Sequence, residues 1–301
     1  MPSSLSPAPV FLSSATISWC DCEQANHLTP TPNPVRRDVQ AADSAVDLTV
    51  RQAGPVPLTV VIPTLNEGDQ IAECINRLKW ADQIVVADGG STDATAALAR
   101  EAGAQVLEGT GPTIAAQRNA AIAEAKNHWI FAVDADERVT DVLRDEIALA
   151  IQTPSHPVYR VRRRNFYLGK ELTRGRWGKD WVTRLFTRDL RYIARRVHER
   201  LQPVANPGYL SGCLDHVPYR SLSHQLDKMN RYALWGAQDL YEQGHRASAW
   251  DLSLRPAGRF LRSYLLQGAC LDGRFGLTTS VLGSYTTFMK YAHLWALEHH
   301  L

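Results

Sequence analysis

Three short apolar runs each stop abruptly at a polar, acid-bearing stretch, and this recurrence restricts the fold more than any other feature of the chain. Leu58–Ile62 ends at Pro63–Glu67, Gln83–Ala87 at Asp88–Asp93, and His128–Val133 at Asp134–Asp136. The runs have the length and the β-branched or aromatic bulk of buried strands. Between them the period changes. Ile71, Ile75 and Leu78 recur at helical spacing behind Asn66, the expected N-cap, so 67–79 reads as an amphipathic helix. Ala94–Ala102 reads as a second helix with Gly103 in the C′ place, Gln105–Leu107 as a short strand, and 113–126 as an Ala-rich helix. Thr140 then caps a helix running to about Gln152. Strands and helices alternating in this way predict an α/β fold: a mostly parallel, Rossmann-like sheet with helices on both faces. Such sheets bind ligands at the carboxyl ends of their strands, so one crevice is expected to gather all three polar stretches.

Asp134-Ala135-Asp136 is the most chemically pointed of them. If the chain stays extended, period-2 geometry puts both carboxylates on one side. Two like charges so placed ask for a cation, and hard oxygen ligands suit Mg2+ or Mn2+ with phosphate oxygens completing the shell. An isolated Asp-x-Asp reads more simply as a strand-to-turn junction with solvated acids. The flanking stretches favour the metal.

From about residue 158 the character changes. Val158–Arg162 and Trp181–Phe186 read as strands in a mixed part of the sheet, and 222–243 and 256–298 as helices. The charge is also divided. Residues 1–159 hold 10 Lys/Arg and 20 Asp/Glu, whereas 160–301 hold 23 and 11. Residues 160–200 alone hold 14 basic and 4 acidic side chains, which suits a back half that meets an anionic partner. Five cysteines at 20, 22, 74, 213 and 270 form no disulfide framework and fit a reducing compartment; Cys20 and Cys22 are too few to hold zinc alone. Residues 1–56, rich in Pro, Ser, Ala and Thr, read as a disordered N-terminal extension. No secretory signal is evident in residues 8–19, and no apolar run reaches the length of about 18–20 residues needed to span a bilayer.

Together, Ile62–Glu67, Asp88–Asp93, Gln117-Arg118-Asn119 and Asp134–Glu137 resemble the motif series of family 2 glycosyltransferases, in that family's order and spacing. Arg164–Gly169, Trp177–Phe186, Val197–Arg200 and Asp272–Gly276 resemble the branch that adds glucose to the lipopolysaccharide core. The resemblance covers about residues 57–298. It implies a GT-A type catalytic domain over 57–221 and a C-terminal helical region over 222–301.

It also implies roles. Pro63, Thr64 and Glu67 would line the nucleoside pocket, Glu67 accepting from the ribose; Asp88 would meet the uracil, with Ser91 and Asp93 shaping that pocket. Arg118 would lie beside the donor, and Asp134 and Asp136 would hold Mg2+ (or Mn2+) against the diphosphate. Asp180 is the candidate base, four residues before Arg184, although Lys179 stands where the family has Glu. Asp180 paired to a neighbouring arginine is the simpler reading of that carboxylate. Arg164 and Arg184 are candidates for acceptor or phosphate contact, as are His198 and Glu199. The processive members' Gln-x-x-Arg-Trp signature is missing, since Arg174-Gly-Arg-Trp177 lacks the glutamine, so one sugar per encounter is expected.

The chemistry accounts for these residue types. Breaking the anomeric C–O bond puts charge on the departing diphosphate, which a metal and arginines stabilise. The attacking hydroxyl must give its proton to a base. The expected function is inverting transfer of a hexose from UDP-glucose to a phosphorylated glycolipid acceptor, a core heptose, and not to nucleic acid. The expected place is the cytoplasmic face of the inner membrane, where Phe260–Trp295, apolar but interrupted by Arg259, Arg262, Arg274 and Lys290, suits a surface helix pair. Synthesis of a polyprenyl-linked glycan or other envelope polysaccharide stays open, as does a non-catalytic nucleotide-sugar-binding module. A nucleotidyltransferase would want a Gly-rich basic loop after the first strand, which Pro63–Glu67 is not.

Overall fold

The computed structural model describes residues 54–111, 113–175, 177–193, 200–219 and 221–300. The expected N-terminal extension lies outside them as far as residue 53, as do Cys20, Cys22, Arg176, His198 and Glu199.

The chain opens with β1 (Val56–Thr64), whose last seven residues are all buried. A strand buried on both faces belongs in the middle of a parallel sheet, and β1 lies between β2 (Ala81–Asp88) and β4 (Trp129–Ala132), parallel to both. The short β3 (Gln105–Leu107) extends the parallel half beyond β2. After β4 the sheet becomes mixed, in the order β3-β2-β1-β4-β8-β6-β11-β5. There β8 (Asp180–Thr187) runs antiparallel to β4 and β6 (Val158–Tyr167), while β11 (Gly208–His216) is parallel to β6. The edge strand β5 (Glu137–Val139) pairs antiparallel with β11, and β7 (Lys170–Leu172) turns back on β6. A separate pair joins β9 (Tyr192–Ile193) to β10 (Arg200–Leu201).

Helices α1 (Gly68–Asn76), α2 (Thr95–Glu101), α3 (Ile114–Ala123) and α4 (Asp141–Gln152) form at the expected places. Ile71, Ile75, Leu143 and Ile147 pack into one core with Leu58, Ile62 and Phe131. Ala115, Ala121 and Ile122 of α3 pack into a second core with Val61, Val85 and Ile130. Thr140 caps α4, accepting from Leu143 N at 3.3 Å, and Gly103 takes φ +99°. Asn66 does not cap α1. It sits at φ +58° outside the helix, Glu67 holds the N-cap place, and the Asn66 side chain reaches the next strand end instead. Asn tolerates that left-handed conformation because its short amide can bond locally.

The C-terminal region is helical, with α5 (Leu222–Glu242), α6 (Ala249–Leu261) and α7 (Gly273–Glu298). Ala237, Tyr291 and Leu294 form a small core of their own. Between α6 and α7 a π-turn (Arg262–Leu266) and a 3₁₀ turn (Ala269–Asp272) make a tip. A Cβ at Gly276 would stand 1.7 Å from Ala269 O, so the tip closes against α7 only with glycine there.

Candidate active site

The carboxyl ends of β1 and β2 are bound into one loop pair. Asp88 is buried and its carboxylate accepts from Gly90 N (3.1 Å), Ser91 N (2.8 Å), Ser91 Oγ (2.5 Å) and Thr64 Oγ1 (3.2 Å). Ser91 Oγ in turn accepts from Asn66 N at 2.8 Å, and Asn66 Oδ1 accepts from Thr92 N at 2.9 Å. Gly90, at φ +103°, supplies the bend that brings two successive N–H groups onto one carboxylate. Asp93 serves two helices at once, accepting from Gly68 N at the start of α1 (3.1 Å) and from Thr95 N at the start of α2 (3.0 Å). Glu67 Oε2 accepts from Gln70 Nε2 at 2.7 Å, and Pro63 pairs in register with Ala87. These bonds bring together Pro63, Thr64, Glu67, Asp88, Ser91 and Asp93, as the spacing of the motifs predicted.

Beyond β4 the strand does not continue. The chain leaves β4 after Ala132 and turns, with Glu137 N donating to Asp134 O at 2.9 Å. Strand alternation therefore does not align the Asp134 and Asp136 carboxylates as expected; each is met by a different set of cations. Asp134 is gripped by Arg118, which lies over the Tyr192 ring, and by Arg184 at 2.5 Å. Arg184 is buried and bonds Glu137 Oε1 at 2.5 Å as well. Glu137, whose side chain is fully buried, also meets Arg163 at 3.3 Å, and Arg163 continues to Asp180 at 2.8 Å. Burial opposes the charge of Asp134, but Arg184 and Arg118 outweigh it and hold the carboxyl below its ordinary pKa. Burial likewise opposes the charge of Arg184, which Asp134 and Glu137 more than restore.

Asp136 faces the C-terminal region. Lys228 of α5 reaches its Oδ2 at 3.2 Å, and His216 Nε2 stands 3.5 Å from its Oδ1. Burial again works against the carboxylate; His216 and Lys228 reverse it and set the pKa well below the usual range. The tautomer of His216 follows from its other side. Asn165 Nδ2 donates to Trp177 O (2.7 Å) and Asp180 Oδ2 (3.3 Å), so Asn165 Oδ1 is the acceptor facing His216 Nδ1 at 2.6 Å. Nδ1 therefore carries the proton, and in a neutral ring Nε2 presents a lone pair. Nε2 stands 3.5 Å from the buried Oδ1, which has no hydrogen bond; a protonated ring pairs with the carboxylate there, and a neutral ring leaves a lone pair beside it. That arrangement suits a shared cation. Among the described residues no third His, Cys, Asp or Glu joins them, so oxygens of water or of a bound ligand would complete such a shell.

The remaining candidates separate. Asp180 is in ion pair with Arg163, and Arg163 and Asn165 both address its Oδ2. Arg184 is part of the buried cluster rather than an exposed phosphate contact. Arg164 lies apart, held by Asp215 in a bidentate pair at 2.6 and 2.9 Å. Glu137 and Asn165 fall within the quoted motifs but had no role of their own assigned, and Arg163 was read only as part of the basic run beside Arg164. His216 and Lys228 were not singled out from the sequence and carry no local signature.

The loop before Asp180 is fixed by the C-terminal tip. Asp272 accepts from Arg174 N (3.1 Å) and Thr173 Oγ1 (3.3 Å), while Gly175 N donates to Gln267 O (2.9 Å).

Comparisons with known proteins bear on the family of the chain rather than on this geometry. The profile described as "Glycosyl transferase family 2" matches residues 59–203. A lipopolysaccharide core biosynthesis glycosyltransferase, LpsC of Rhizobium meliloti (strain 1021), is 30% identical over 249 residues, covering 80% of this chain and 92% of that protein. An uncharacterized glycosyltransferase of Rickettsia prowazekii (strain Madrid E), RP128, is 26% identical over 251 residues, covering 79% and 86%. Among solved structures, glucosyl-3-phosphoglycerate synthase from Mycobacterium tuberculosis in complex with Mn2+, UDP and glucosyl-3-phosphoglycerate shares 21% identity at a TM-score of 0.32, covering 36% of this chain and 44% of that one. An overlap that partial transfers no ligand geometry.

Proposed function

Because this chain belongs to glycosyl transferase family 2, we propose that it moves one glucose from UDP-glucose to a heptose of the lipopolysaccharide core, inverting the anomeric carbon. It is a glycosyltransferase, and a lipopolysaccharide-core glycosyltransferase is its relative over most of both lengths. What carries the finer reading is the convergence of three strand ends. Thr64, Asn66, Asp88 and Ser91 are interlocked at the first two, and Asp134 at the third is met by Cys74 of α1, whose Sγ lies 3.8 Å from Asp134 O.

In this reading residues 57–221 form the catalytic unit. Pro63, Thr64 and Glu67 line the nucleoside side, and the Asp88–Asp93 loop gives it a fixed wall. A divalent ion, Mg2+ or Mn2+, would be held by Asp136 with His216 and would act as Lewis acid to the departing diphosphate. Both oxygens of Asp134 are already met by guanidinium groups, so Asp134 positions Arg118 and Arg184 at the site's floor. The acceptor hydroxyl attacks from the face opposite the diphosphate, and its proton passes to Asp180. With Arg163 and Asn165 on Oδ2, Oδ1 is the oxygen offered to that hydroxyl. Asn165 spans Asp180 and His216, so one hydrogen-bonded chain joins the base to the metal side.

The tip between α6 and α7 supports a lipid-borne acceptor. Leu261, Leu265, Leu266 and Leu271 are 51, 56, 84 and 72% exposed there. Arg259, Arg262 and Arg274 flank them, and exposed leucines ringed by arginines suit an anionic bilayer surface. No helix among the described residues is long and apolar enough to cross a membrane, so the association would be peripheral, on the cytoplasmic face of the inner membrane. The test is a donor screen with purified protein, Mn2+ and heptosylated core acceptor, scored by UDP release. Release that is greatest with UDP-glucose and depends on the acceptor supports the reading; release from another donor, or none, overturns it.

A further inference from the structure

We propose that Lys228 is a resident counter-ion that makes the divalent metal and the donor's diphosphate bind as a single unit. The proposal rests on the donor-site reading of the crevice and adds to it a rule for how the site fills. Lys228 is carried to Asp136 by α5, from outside the parallel sheet, and its ammonium sits 3.2 Å from Oδ2 and 5.9 Å from the Tyr219 ring centroid. The ion-paired cluster contains the carboxylates Asp134, Asp136, Glu137 and Asp180. Against them stand Arg118, Arg163, Arg184 and Lys228. Among the described residues each of these acids meets at least one of these cations before any metal arrives.

A bare divalent ion entering between Asp136 Oδ1 and His216 Nε2 brings two positive charges next to that ammonium, in a site only partly screened by solvent. The same ion carried on a nucleotide-sugar diphosphate brings two negative charges with it. The pair then adds no net charge, and an ammonium displaced from Oδ2 gains phosphate oxygens as acceptors. Lys228 is held against Asp136 from the side of α5, so an ammonium that leaves Oδ2 stays beside the metal carboxylate.

The experiment is done on the full chain by titrating MnCl2 with and without saturating UDP, following free Mn2+ by electron paramagnetic resonance. UDP is titrated with and without Mn2+ by calorimetry. In the native protein Mn2+ alone should bind weakly, and UDP should tighten it by about 5–150-fold, the same factor appearing when the order is reversed. Lys228→Met should tighten Mn2+ alone and shrink the coupling, with Lys228→Gln as a second neutral variant should the first not melt cooperatively. Lys228→Arg should keep the native pattern. Native protein that binds Mn2+ equally with and without UDP, or folded neutral variants that keep the full coupling, would overturn the role of Lys228. Native protein that binds UDP under no condition would instead overturn the donor-site reading.

Discussion

Asp88 and Asp93 are held by backbone N–H groups and hydroxyls, whereas Asp134, Asp136, Glu137 and Asp180 are held by guanidinium, ammonium and imidazole groups. The first arrangement uses donors that fold in place with their own loops. The second depends on charges delivered by α3, β6, β8, β11 and α5. Hydrogen-bonded acids of the first kind make a rigid wall that needs little else. Paired acids of the second kind balance one another, so removing any one leaves its partner uncompensated in a buried place. On the proposed reading, the nucleotide side is thus built to stay still, and the side that would face metal and acceptor is built to respond to charge.

The largest expected effect falls on the responsive side. Asp180→Asn keeps size and hydrogen-bonding shape but removes the proton acceptor, so turnover should fall by about 10²–10⁴-fold, as for a lost general base. UDP affinity should hardly move, because the nucleoside wall is untouched. If turnover per folded molecule stays near native, the carboxylate serves only as a partner of Arg163. Arg184→Met comes next. It leaves Asp134 and Glu137 without their shared buried cation, and stability should drop by about 3–5 kcal/mol in denaturant unfolding. A loss below 1 kcal/mol would mean that the cluster relaxes as easily as the other wall, and the contrast between the two sides would fail.

On the hydrogen-bonded side the corresponding change should be smaller. Asp93→Ala removes a cap shared by α1 and α2, for which about 0.5–2 kcal/mol is expected. The pH dependence gives a second reading. Burial pushes the Asp93 carboxyl up, but hydrogen bonds from Thr95 and Gly68 bring it below the ordinary value. A carboxyl whose pKa is depressed by folding contributes stability that is present above its unfolded pKa and lost as pH falls through the folded one. Native protein should therefore lose part of its melting temperature on acidification that the alanine variant does not. Melting curves from neutral to acid pH that run parallel for both proteins would remove Asp93 from that role.

The same contrast decides what was legible in the sequence. Thr64, Asn66, Asp88, Ser91 and Asp93 bond across two neighbouring strand ends, so once the apolar runs are recognised as parallel strands their motifs must meet. Thr140 and Gly103 were readable for a similar reason, since caps act within one turn. The strand before Asp134 forms where the apolar run places it, but the run does not announce the turn by which Glu137 folds back on Asp134, so the chain does not stay extended to Asp136. Lys228 was invisible, since it lies on an amphipathic helix like any solvated lysine and its meaning depends on where α5 docks. Tyr167 of β6, whose hydroxyl donates to Gln225 of α5 at 2.9 Å, helps to set that docking. Asp272 and Gly276 stood out in the sequence as part of a motif; Asp272 ties the C-terminal tip to the loop before Asp180, and Gly276 lets that tip close against α7.

Arg164 gives the finest test, because it lies between the two kinds of site. It belongs to the basic run that suggested phosphate recognition, yet its fork is closed on Asp215 in a bidentate pair that is about one-third exposed. Exposed pairs contribute about 0–1 kcal/mol, so Asp215→Asn should leave the melting temperature nearly unchanged. What it should change is the acceptor side. Freed of its carboxylate, the guanidinium becomes available to a phosphate, and the KM for a phosphorylated acceptor should fall. The KM for UDP-glucose and the turnover number should stay as they were. A dephosphorylated acceptor should show no such gain, since its contacts do not involve the fork. If both acceptors respond alike, Asp215 acts through the fold of β11 and Arg164 has no part in reading phosphate. An unchanged KM for both would place the pair on the outer surface, and phosphate recognition would then have to be sought nearer the loop before Asp180.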